Sequence, residues 1–274
     1  MRHCPLALLG LIWAINGHCS DGAYLFDAAG CLGCHTAKDG QPLAGGRPFE
    51  TPYGTFYSPN ISPDPETGIG RWSKDEFIGA LKHGGAPDGS AYFPVFPYPS
   101  YRLLSDADAG ALFDHLMTRK PHRRQNREHD LPWWLARWMM KPWQWFLLDE
   151  PAPPPADPTL SRGRYLVDAL GHCGECHTPR DWTGLADRGR YLAGTRQGPE
   201  GEKVPNITPD RNDGLGRWDG DDLEYFLESG ALPDGDYTGS LMAEVVDNTT
   251  SRLTPGDRRA MVDYLRSLEA IPGP

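Results

Sequence analysis

Two short stretches decide how this sequence folds: CLGCH at residues 31–35 and CGECH at residues 173–177. Both have the pattern C-x-x-C-H, which is the covalent attachment signature of a c-type haem. Thiols three residues apart lie on one side of a helical turn, where both can bond the vinyl groups of one haem. The histidine that follows places an imidazole against the iron as its proximal ligand.

Other uses of paired cysteines stay open at this point. A zinc site could take both pairs, although it would not need a histidine directly after each. Disulfides are the default in an exported chain, and a thioredoxin-like pair would need a βαβ context that is not visible. The haem interpretation predicts two covalently attached haems c, held by Cys31, Cys34, Cys173 and Cys176, with His35 and His177 as axial ligands.

The chain repeats itself around these motifs. NISPDPETGIGRWSKDEF at 60–77 matches NITPDRNDGLGRWDGDDL at 206–223 at an offset of 146, while the C-x-x-C-H motifs are offset by 142. The repeat indicates one unit of about 100 residues used twice. We therefore expect a signal peptide at 1–20, a cytochrome c domain at 21–120, an interdomain linker at 121–160 and a second cytochrome c domain at 161–274.

Helix signals agree between the two copies. Ser73 with Glu76, and Asp219 with Asp222, form capping boxes that start helices. The predicted fold class is all-α: two tandem domains of the class I cytochrome c type, with Gly/Pro-rich loops wrapping the haems. The predicted helices span 21–29, 73–83 and 105–117 in the first copy, and 161–170, 219–228 and 254–268 in the second.

The N-terminus and the net charge bound the location and the partners. One arginine precedes the apolar run 6–15, which is too short to span a bilayer and is typical of a secretory signal. A lipoprotein signal at Cys19 is a weaker alternative, because His18 is a poor residue before a lipidated cysteine. We expect a periplasmic or exported protein. The formal charge of −10 argues against nucleic acid, which demands a basic surface.

A tryptophan-rich segment, PWWLARWMMKPWQWFLLD at 132–149, joins the two copies. Arg137, Lys141 and Pro142 argue against a membrane span. We expect the segment to pack as a brace between the domains, because exposed aromatic patches of this size are uncommon. The alternative is that residues 133–148 lie on a membrane surface or against a partner.

The sixth iron ligand differs between the copies. Methionine is the usual sixth ligand of a c-type electron-transfer haem, and Met242, in the predicted loop before the last helix, is expected to pair with His177. At the equivalent position stands Phe96, in the apolar stretch FPVFPY at 93–98. The first iron then takes an unaligned ligand, or none, with Phe96 capping a dry pocket. The candidates are His83, which could equally be a solvated helix end, and His115 and Met117 on the closing helix.

Several stretches of the chain resemble one known family. The cytochrome c subunits of membrane-bound alcohol and gluconate dehydrogenases are similar to this chain over nearly its whole length after the signal. The resemblance implies that electrons arrive from a flavin, quinoprotein or molybdenum dehydrogenase and leave to quinone or a terminal oxidase. The stretches are TPYGTFYSPNISPDPETGIGRW at 51–72, PYPSY at 97–101, LPWWLARWMM at 131–140 and MAEVVDNTTSRLT at 242–254.

Two departures from that family's pattern matter. The family typically has three haem domains and a C-terminal anchor, whereas this sequence has two motifs and ends at Pro274. Direct membrane anchoring and quinone reduction therefore stay open. The family also typically has methionine where Phe96 stands, which leaves the ligand of the first haem open.

These observations favour an exported dihaem electron carrier, or an electron-transfer subunit, over an enzyme. Its partners would be a dehydrogenase as donor and an oxidase, the quinone pool or a small cytochrome as acceptor. One alternative is a dihaem enzyme, peroxidase-like or oxidising sulfur oxyanions, whose first haem lacks a methionine. Another is a haem protein that binds carbon monoxide or nitric oxide. Side chains that could hold haem propionates are Arg71, Trp72, Arg180, Arg217 and Trp218.

Overall fold

The computed structural model describes residues 21–148 and 152–274. The predicted signal peptide at 1–20 lies outside these residues. The first half contains α1 (Gly22–Ala28), α2 (Cys31–His35), β1 (Pro48–Thr51), β2 (Gly54–Tyr57), α3 (Lys74–His83), α4 (Tyr98–Tyr101) and α5 (Asp106–Met117). The connecting segment contains α6 (Met140–Leu147), and the second half contains α7 (Pro158–Arg164), α8 (Gly174–His177), α9 (Gly220–Ser229), α10 (Ser240–Asn248) and α11 (Pro255–Ser267). Single 3₁₀ turns lie at Arg137–Met139, Arg188–Arg190, Pro199–Gly201 and Thr250–Arg252.

The ends of the predicted helices are confirmed where a cap was legible in the sequence. The Ser73 hydroxyl accepts from the Glu76 backbone N–H and the Glu76 carboxylate accepts from the Ser73 backbone N–H, so α3 begins with a complete capping box. Asp219 and Asp222 make the same box at α9. Each box satisfies N–H groups that have no partner inside the helix, which is why these helices begin at the residues expected.

The all-α prediction is wrong for residues 48–57. There β1 and β2 form an antiparallel hairpin in which Pro48 pairs with Tyr57 and Thr51 with Gly54. Aromatic and β-branched residues favour strands, and Gly54, at φ +120°, supplies a turn conformation that other residues rarely adopt. The connecting segment adds to the hairpin, because Thr55 and Asp130 exchange backbone hydrogen bonds of 3.0 and 2.9 Å. The protein is mostly helical with one small sheet.

The helix expected at 161–170 changes character halfway. It is α-helical in α7 and continues as a π-helix over Tyr165–Leu170. The first half reads YLFDAAGC up to its first attachment cysteine. The second half reads YLVDALGHC up to the equivalent cysteine, with one additional residue, His172. A π-helix accommodates one residue more than an α-helix in the same length, so the insertion explains the wider turn.

In both halves the first helix crosses the last helix at a glycine. A β-carbon on Gly22 of α1 would lie 2.2 Å from the carbonyl oxygen of Ala111 in α5. A β-carbon on Gly163 of α7 would lie 2.0 Å from the carbonyl oxygen of Ala260 in α11. Both distances are far inside van der Waals contact, so the close crossing requires glycine at each point. The internal repeat is thus visible in the packing as well as in the sequence.

The apolar interior is shared between the halves. Buried side chains from the first half, such as Leu25 and Leu112, and from the second half, such as Leu166 and Val262, belong to one contiguous cluster. A smaller cluster joins Phe56 and other first-half residues to Met140 of the connecting segment. Because one interior serves both halves, neither is packed independently of the other.

The connecting segment is not the buried brace that we expected. Among the described residues of this segment only Met140 is buried, against Phe56 and Phe93, while Trp133 is 93% exposed and Trp145 is 86% exposed. We expected burial because exposing a large apolar surface is unfavourable, but composition alone does not show which side chains of the segment face solvent. The other large apolar residues exposed here are Trp134, Trp138, Phe146 and Leu147. We call these six residues, 133, 134, 138 and 145–147, the aromatic face.

Candidate haem-attachment sites

The two attachment motifs form short helical turns. The first is α2, which begins after Gly30, a residue in the left-handed conformation at φ +61°. The second is α8, which begins after Cys173. The thiols of Cys31, Cys34, Cys173 and Cys176 are unpaired. Because thiols three residues apart share one side of a turn, each motif presents a pair that can bond the same flat ligand.

The two motif histidines are held in the same way. The Nδ1 atom of His35 lies 2.9 Å from the carbonyl oxygen of Pro59, and that of His177 lies 2.8 Å from the carbonyl oxygen of Pro205. A carbonyl oxygen can only accept, so Nδ1 carries the proton and Nε2 keeps its lone pair. An outer carbonyl partner of this kind fixes the ring of a metal-binding histidine and raises its basicity as a ligand.

The surroundings suit neutral imidazoles and protonated thiols. Burial lowers the pKa of His35 and of His177, so both rings are neutral, which is the form that binds iron. Burial raises the pKa of Cys31 and of Cys173 to about 12, so neither thiol is a ready thiolate. A histidine directly after the second cysteine of each pair supplies an iron ligand next to two thioether positions, so this arrangement fits covalently bound haem c better than zinc.

Met242 lies on α10, half-buried, in the first turn of the helix. The prediction that Met242 lies in a loop is therefore wrong. The sequence SLMAEVVDN, which follows Gly239, contains neither glycine nor proline, and most of its residues are compatible with a helix. A thioether on a helix is held more rigidly than one on a loop.

Phe96 sits in an aromatic cluster just before α4. Its ring centroid lies 5.7 Å from that of Tyr92, 6.3 Å from that of Tyr98 and 6.0 Å from that of Tyr101. The side chain is half-buried and packs against the main apolar core. Phe96 is thus part of an apolar aromatic cluster.

The other candidate ligands of the first site occupy different surroundings. His83 is exposed at the last residue of α3. His115 lies on α5 and faces α1, where its ring centroid is 5.2 Å from that of Phe26. Burial lowers the pKa of His115. Met117 ends α5 and packs against the core. These positions leave all three residues as candidates for the sixth ligand of the first iron.

The first attachment motif lies in a part of the chain that matches a known protein family. Residues 19–120 match the family model described as cytochrome c. The chain is 42% identical to the diheme cytochrome c-type of Cereibacter sphaeroides, an alignment that covers 95% of this chain and 89% of that protein.

The chain belongs to this cytochrome c family.

Two further relatives are dehydrogenase subunits. The chain is 44% identical to the gluconate 2-dehydrogenase cytochrome c subunit of Pantoea cypripedii, over 91% of this chain and 59% of that subunit. It is 39% identical to the alcohol dehydrogenase (quinone) cytochrome c subunit of Gluconobacter oxydans, over 92% of this chain and 55% of that subunit. The chain therefore spans little more than half the length of these two relatives.

Membership of this cytochrome c family carries two statements about chemistry. The family binds haem c covalently, and this chain has two C-x-x-C-H motifs, each in a short helical turn. A covalently held haem iron gains and loses electrons, so membership of the cytochrome c family indicates electron transfer as the function class. The relatives give no support to the peroxidase-like or sulfur-oxidising alternative.

The proposed propionate contacts divide into two kinds. Arg71 and Arg217 stand at equivalent positions of the repeat and are both exposed, whereas Trp72 and Trp218 beside them are half-buried. Arg180 is already engaged, because its guanidinium pairs with Glu175 and donates to the Gly184 carbonyl oxygen at 2.7 Å. The structure thus leaves Arg71 and Arg217 exposed to solvent and ties Arg180 to the second motif.

Sequence reasoning missed residues that connect the two motifs. The ring of Tyr101 meets that of His172 edge-on, with centroids 5.6 Å apart, and its hydroxyl donates to the Ala29 carbonyl oxygen at 3.4 Å. The Ser100 hydroxyl donates to Glu175 at 2.6 Å. His172 could have been found as the one residue that the second YLxDAxG segment has in excess. Nothing in the sequence pairs Ser100 with Glu175.

Proposed function

We propose that this cytochrome c carries two haems c and passes electrons between a periplasmic dehydrogenase and a respiratory acceptor. The observation that supports this most directly is the equivalence of the two attachment sites. In each, a proline carbonyl oxygen holds the motif histidine by Nδ1, at 2.9 Å for His35 and at 2.8 Å for His177. A haem held by each motif supplies an iron that gains and loses one electron at a time.

The two motifs are neighbours, which supports a relay between them. Tyr101 contacts residues just before both motifs: Ala29, two residues before Cys31, and His172, which directly precedes Cys173. The Ser100 hydroxyl, next to Tyr101, donates to the Glu175 carboxylate of the second motif at 2.6 Å. These contacts support a short path from one site to the other.

We propose His177 and Met242 as the axial pair of the second iron and His35 as the proximal ligand of the first. A thioether ligand favours ferrous iron and raises the potential, so the second site would be the more easily reduced. Phe96 occupies the position of Met242 in the first half, and His83, His115 and Met117 remain the candidates for the sixth ligand there. The two haems would then differ in potential, which gives electrons a direction.

Domain organisation and location are part of the same proposal. We place cytochrome c domains at 21–120 and 161–274, joined through 121–160, and a signal peptide at 1–20 that directs export. Haem c attachment outside the cytoplasm supports this location. Within the described residues, no helix combines the length and the apolar character needed to cross a bilayer.

The aromatic face is proposed to associate peripherally with a membrane surface. Residues 131–148 include Arg137 and Lys141 and no acidic residue, in a chain of net charge −10. Tryptophan prefers the interface between water and lipid, and a cationic side chain beside it favours anionic headgroups. The segment would hold the protein near membrane-bound redox partners.

Mass spectrometry of the exported protein tests the proposal. The intact mass, after heating in denaturant, should exceed that of the processed polypeptide by the mass of two haems. Cys31→Ser combined with Cys34→Ser should lose one haem, and Cys173→Ser combined with Cys176→Ser should lose the other. A chain that contains no covalent haem, or binds zinc instead, would contradict the proposal.

A further inference from the structure

Helix α10 lies between the two halves and uses opposite faces for them. Met242 and Val246 are four residues apart and share one face, and Val246 is 97% buried, with a methyl carbon 3.8 Å from the β-carbon position of Gly230 at the end of α9. Glu244 and Asn248 are also four residues apart and share another face. That second face lies against α2, the first attachment helix.

The contact with α2 is made through one arginine. Nη1 of Arg47 donates to the carbonyl oxygen of Gly33 at 2.7 Å and to a carboxylate oxygen of Glu244 at 2.5 Å. The Arg47 side chain is only 17% exposed, whereas that of Glu244 is 49% exposed. One guanidinium thus joins the backbone of the first attachment motif to the helix that carries Met242.

Glycines let the two segments approach closely. A β-carbon on Gly33 would lie 3.9 Å from Nδ2 of Asn248, and one on Gly30 would lie 2.7 Å from Oγ1 of Thr249. The last residue of α10 and the residue after it therefore lie directly against α2 and the glycine that precedes it. A second ion pair, Arg252 with Asp27 at 3.3 Å, lies along the same boundary.

We propose that Arg47 and Glu244 are positioning residues for the second haem, because they fasten α10 to the first attachment helix and so hold Met242 in place. The inference rests on the proposed assignment of Met242 as an iron ligand. It assigns to the first half a role in the ligation of the second haem. The ion pair lies on the face of α10 opposite Met242, so it acts through the position of the helix and not through contact with the thioether.

The expected effect of Glu244→Gln is a looser α10 and a larger population of the second haem without its methionine. Imidazole competes for that vacant position on ferric iron, and its apparent affinity rises in proportion to the population that lacks the thioether. We expect that affinity to rise about fivefold, the upper range for an ion pair that is partly exposed. The measurement is a titration of the oxidised holoprotein with imidazole, followed by loss of the near-infrared thioether–iron band.

The matched control is Asp221→Asn on α9, which removes a carboxylate from another ion pair of the same half, with Arg259 at 2.7 Å. It should change the imidazole affinity by less than about twofold, the usual range for a surface substitution. Arg47→Gln should raise the imidazole affinity about as much as Glu244→Gln does. The double variant should raise it no further than Arg47→Gln alone, because both changes remove the same contact.

A purely electrostatic effect predicts a different result. Glu244 contacts the first motif through Arg47, so loss of its charge would mainly shift the potential of the first haem and leave the thioether band unchanged. That result, or an imidazole affinity equal to that of Asp221→Asn, would overturn the positioning role while leaving Met242 as ligand. If the unsubstituted protein lacks a thioether band, or Met242→Leu retains it, the ligand assignment fails and this inference fails with it.

Discussion

At the scale of single residues, the proposed proximal ligands of the two haems have like surroundings, whereas the two positions proposed for the distal side differ. The Nδ1 atom of each motif histidine lies near a proline carbonyl oxygen, at 2.9 Å for His35 and at 2.8 Å for His177. Met242 lies on a helix, whereas Phe96 lies in an aromatic cluster. Differences in potential between the two haems should therefore originate on the distal side.

Met242→Leu tests that statement at the second site. Leucine fills a similar volume but cannot bind iron, so the near-infrared thioether band should disappear and the potential of one haem should fall. Spectroelectrochemical titration should show the other haem unchanged. Met139→Leu is the matched control, because Met139 packs against the small apolar cluster of the connecting segment, and it should leave both potentials unchanged. A band that survives Met242→Leu would show that another residue is the ligand.

Phe96→Met tests the first site. If residue 96 lies at the distal face, a thioether there should bind the first iron and add a second contribution to the near-infrared band. The potential of the first haem should rise toward that of the second. Tyr92→Met, in the same aromatic cluster, serves as the control and should produce no band. An unchanged spectrum in Phe96→Met would mean that the repeat alignment misplaces this position.

The proposed attachment cysteines and their histidines can be recognised from the sequence because their spacing alone forms the signature. C-x-x-C-H needs no tertiary information to be interpreted. Arg47, Glu244 and the contact of Tyr101 with His172 could not be predicted, because these partners are far apart in sequence and no local pattern marks them. The sequence thus indicates what binds the haem and not what holds the binding residues.

At the scale of secondary-structure elements, close helix crossing limits what the repeat can tolerate. Gly163 of α7 has no room for a methyl group, since Ala260 and Tyr264 of α11 press against it. Gly79 of α3 is a useful contrast, because a β-carbon there would meet nothing within 4 Å. The same chemical change should therefore have opposite effects at the two positions.

Gly163→Ala should lower the free energy of unfolding by about 3 kcal/mol, because the added methyl group overpacks the crossing. Gly79→Ala should raise it by about 0.4–1 kcal/mol, since alanine loses less backbone entropy in a helix. Denaturant titration of the two holoproteins measures both. If Gly163→Ala were as stable as Gly79→Ala, α7 and α11 would not cross as closely as described.

Elements with local signals were predicted well, and those set by long-range packing were not. The capping boxes at α3 and α9 were legible because each is complete within four residues. The hairpin at 48–57 was missed because two four-residue strands leave little pattern, and Asp130 contributes to it from far along the chain. The π-helix was missed because its cause, the insertion of His172, lies after the helix and not within it.

At the scale of the whole molecule, the aromatic face is the largest feature that the function class does not explain. Trp182, 87% exposed, lies close to it, because the indole of Trp143 donates to the Thr183 carbonyl oxygen at 3.1 Å. The exposed tryptophans are therefore near the turn that follows the second attachment motif. A protein anchored through this side would keep that motif close to the membrane.

Binding to lipid vesicles tests the aromatic face. The holoprotein should sediment with vesicles that contain anionic lipid, and Trp145→Ser combined with Phe146→Ser should reduce the partition coefficient at least about tenfold. Burying one large apolar side chain contributes about 1.5–3 kcal/mol, which is enough for that change. Tyr225→Ser, at an exposed position on α9, is the control and should leave binding unchanged. Failure of the unsubstituted protein to bind any vesicle would mean that the face docks a protein instead.

The shared interior has a consequence for the history of the chain. An internal repeat records the duplication of an ancestral gene, and duplicated units that remain separate can later be lost or exchanged one at a time. Here the first attachment helix is covered by residues 244–249, and Glu175 of the second motif is bonded to Ser100. Deleting either half would expose the other's attachment helix. Such mutual covering makes the duplication difficult to reverse, so natural variants should gain or lose units at the ends of the pair and not between its members.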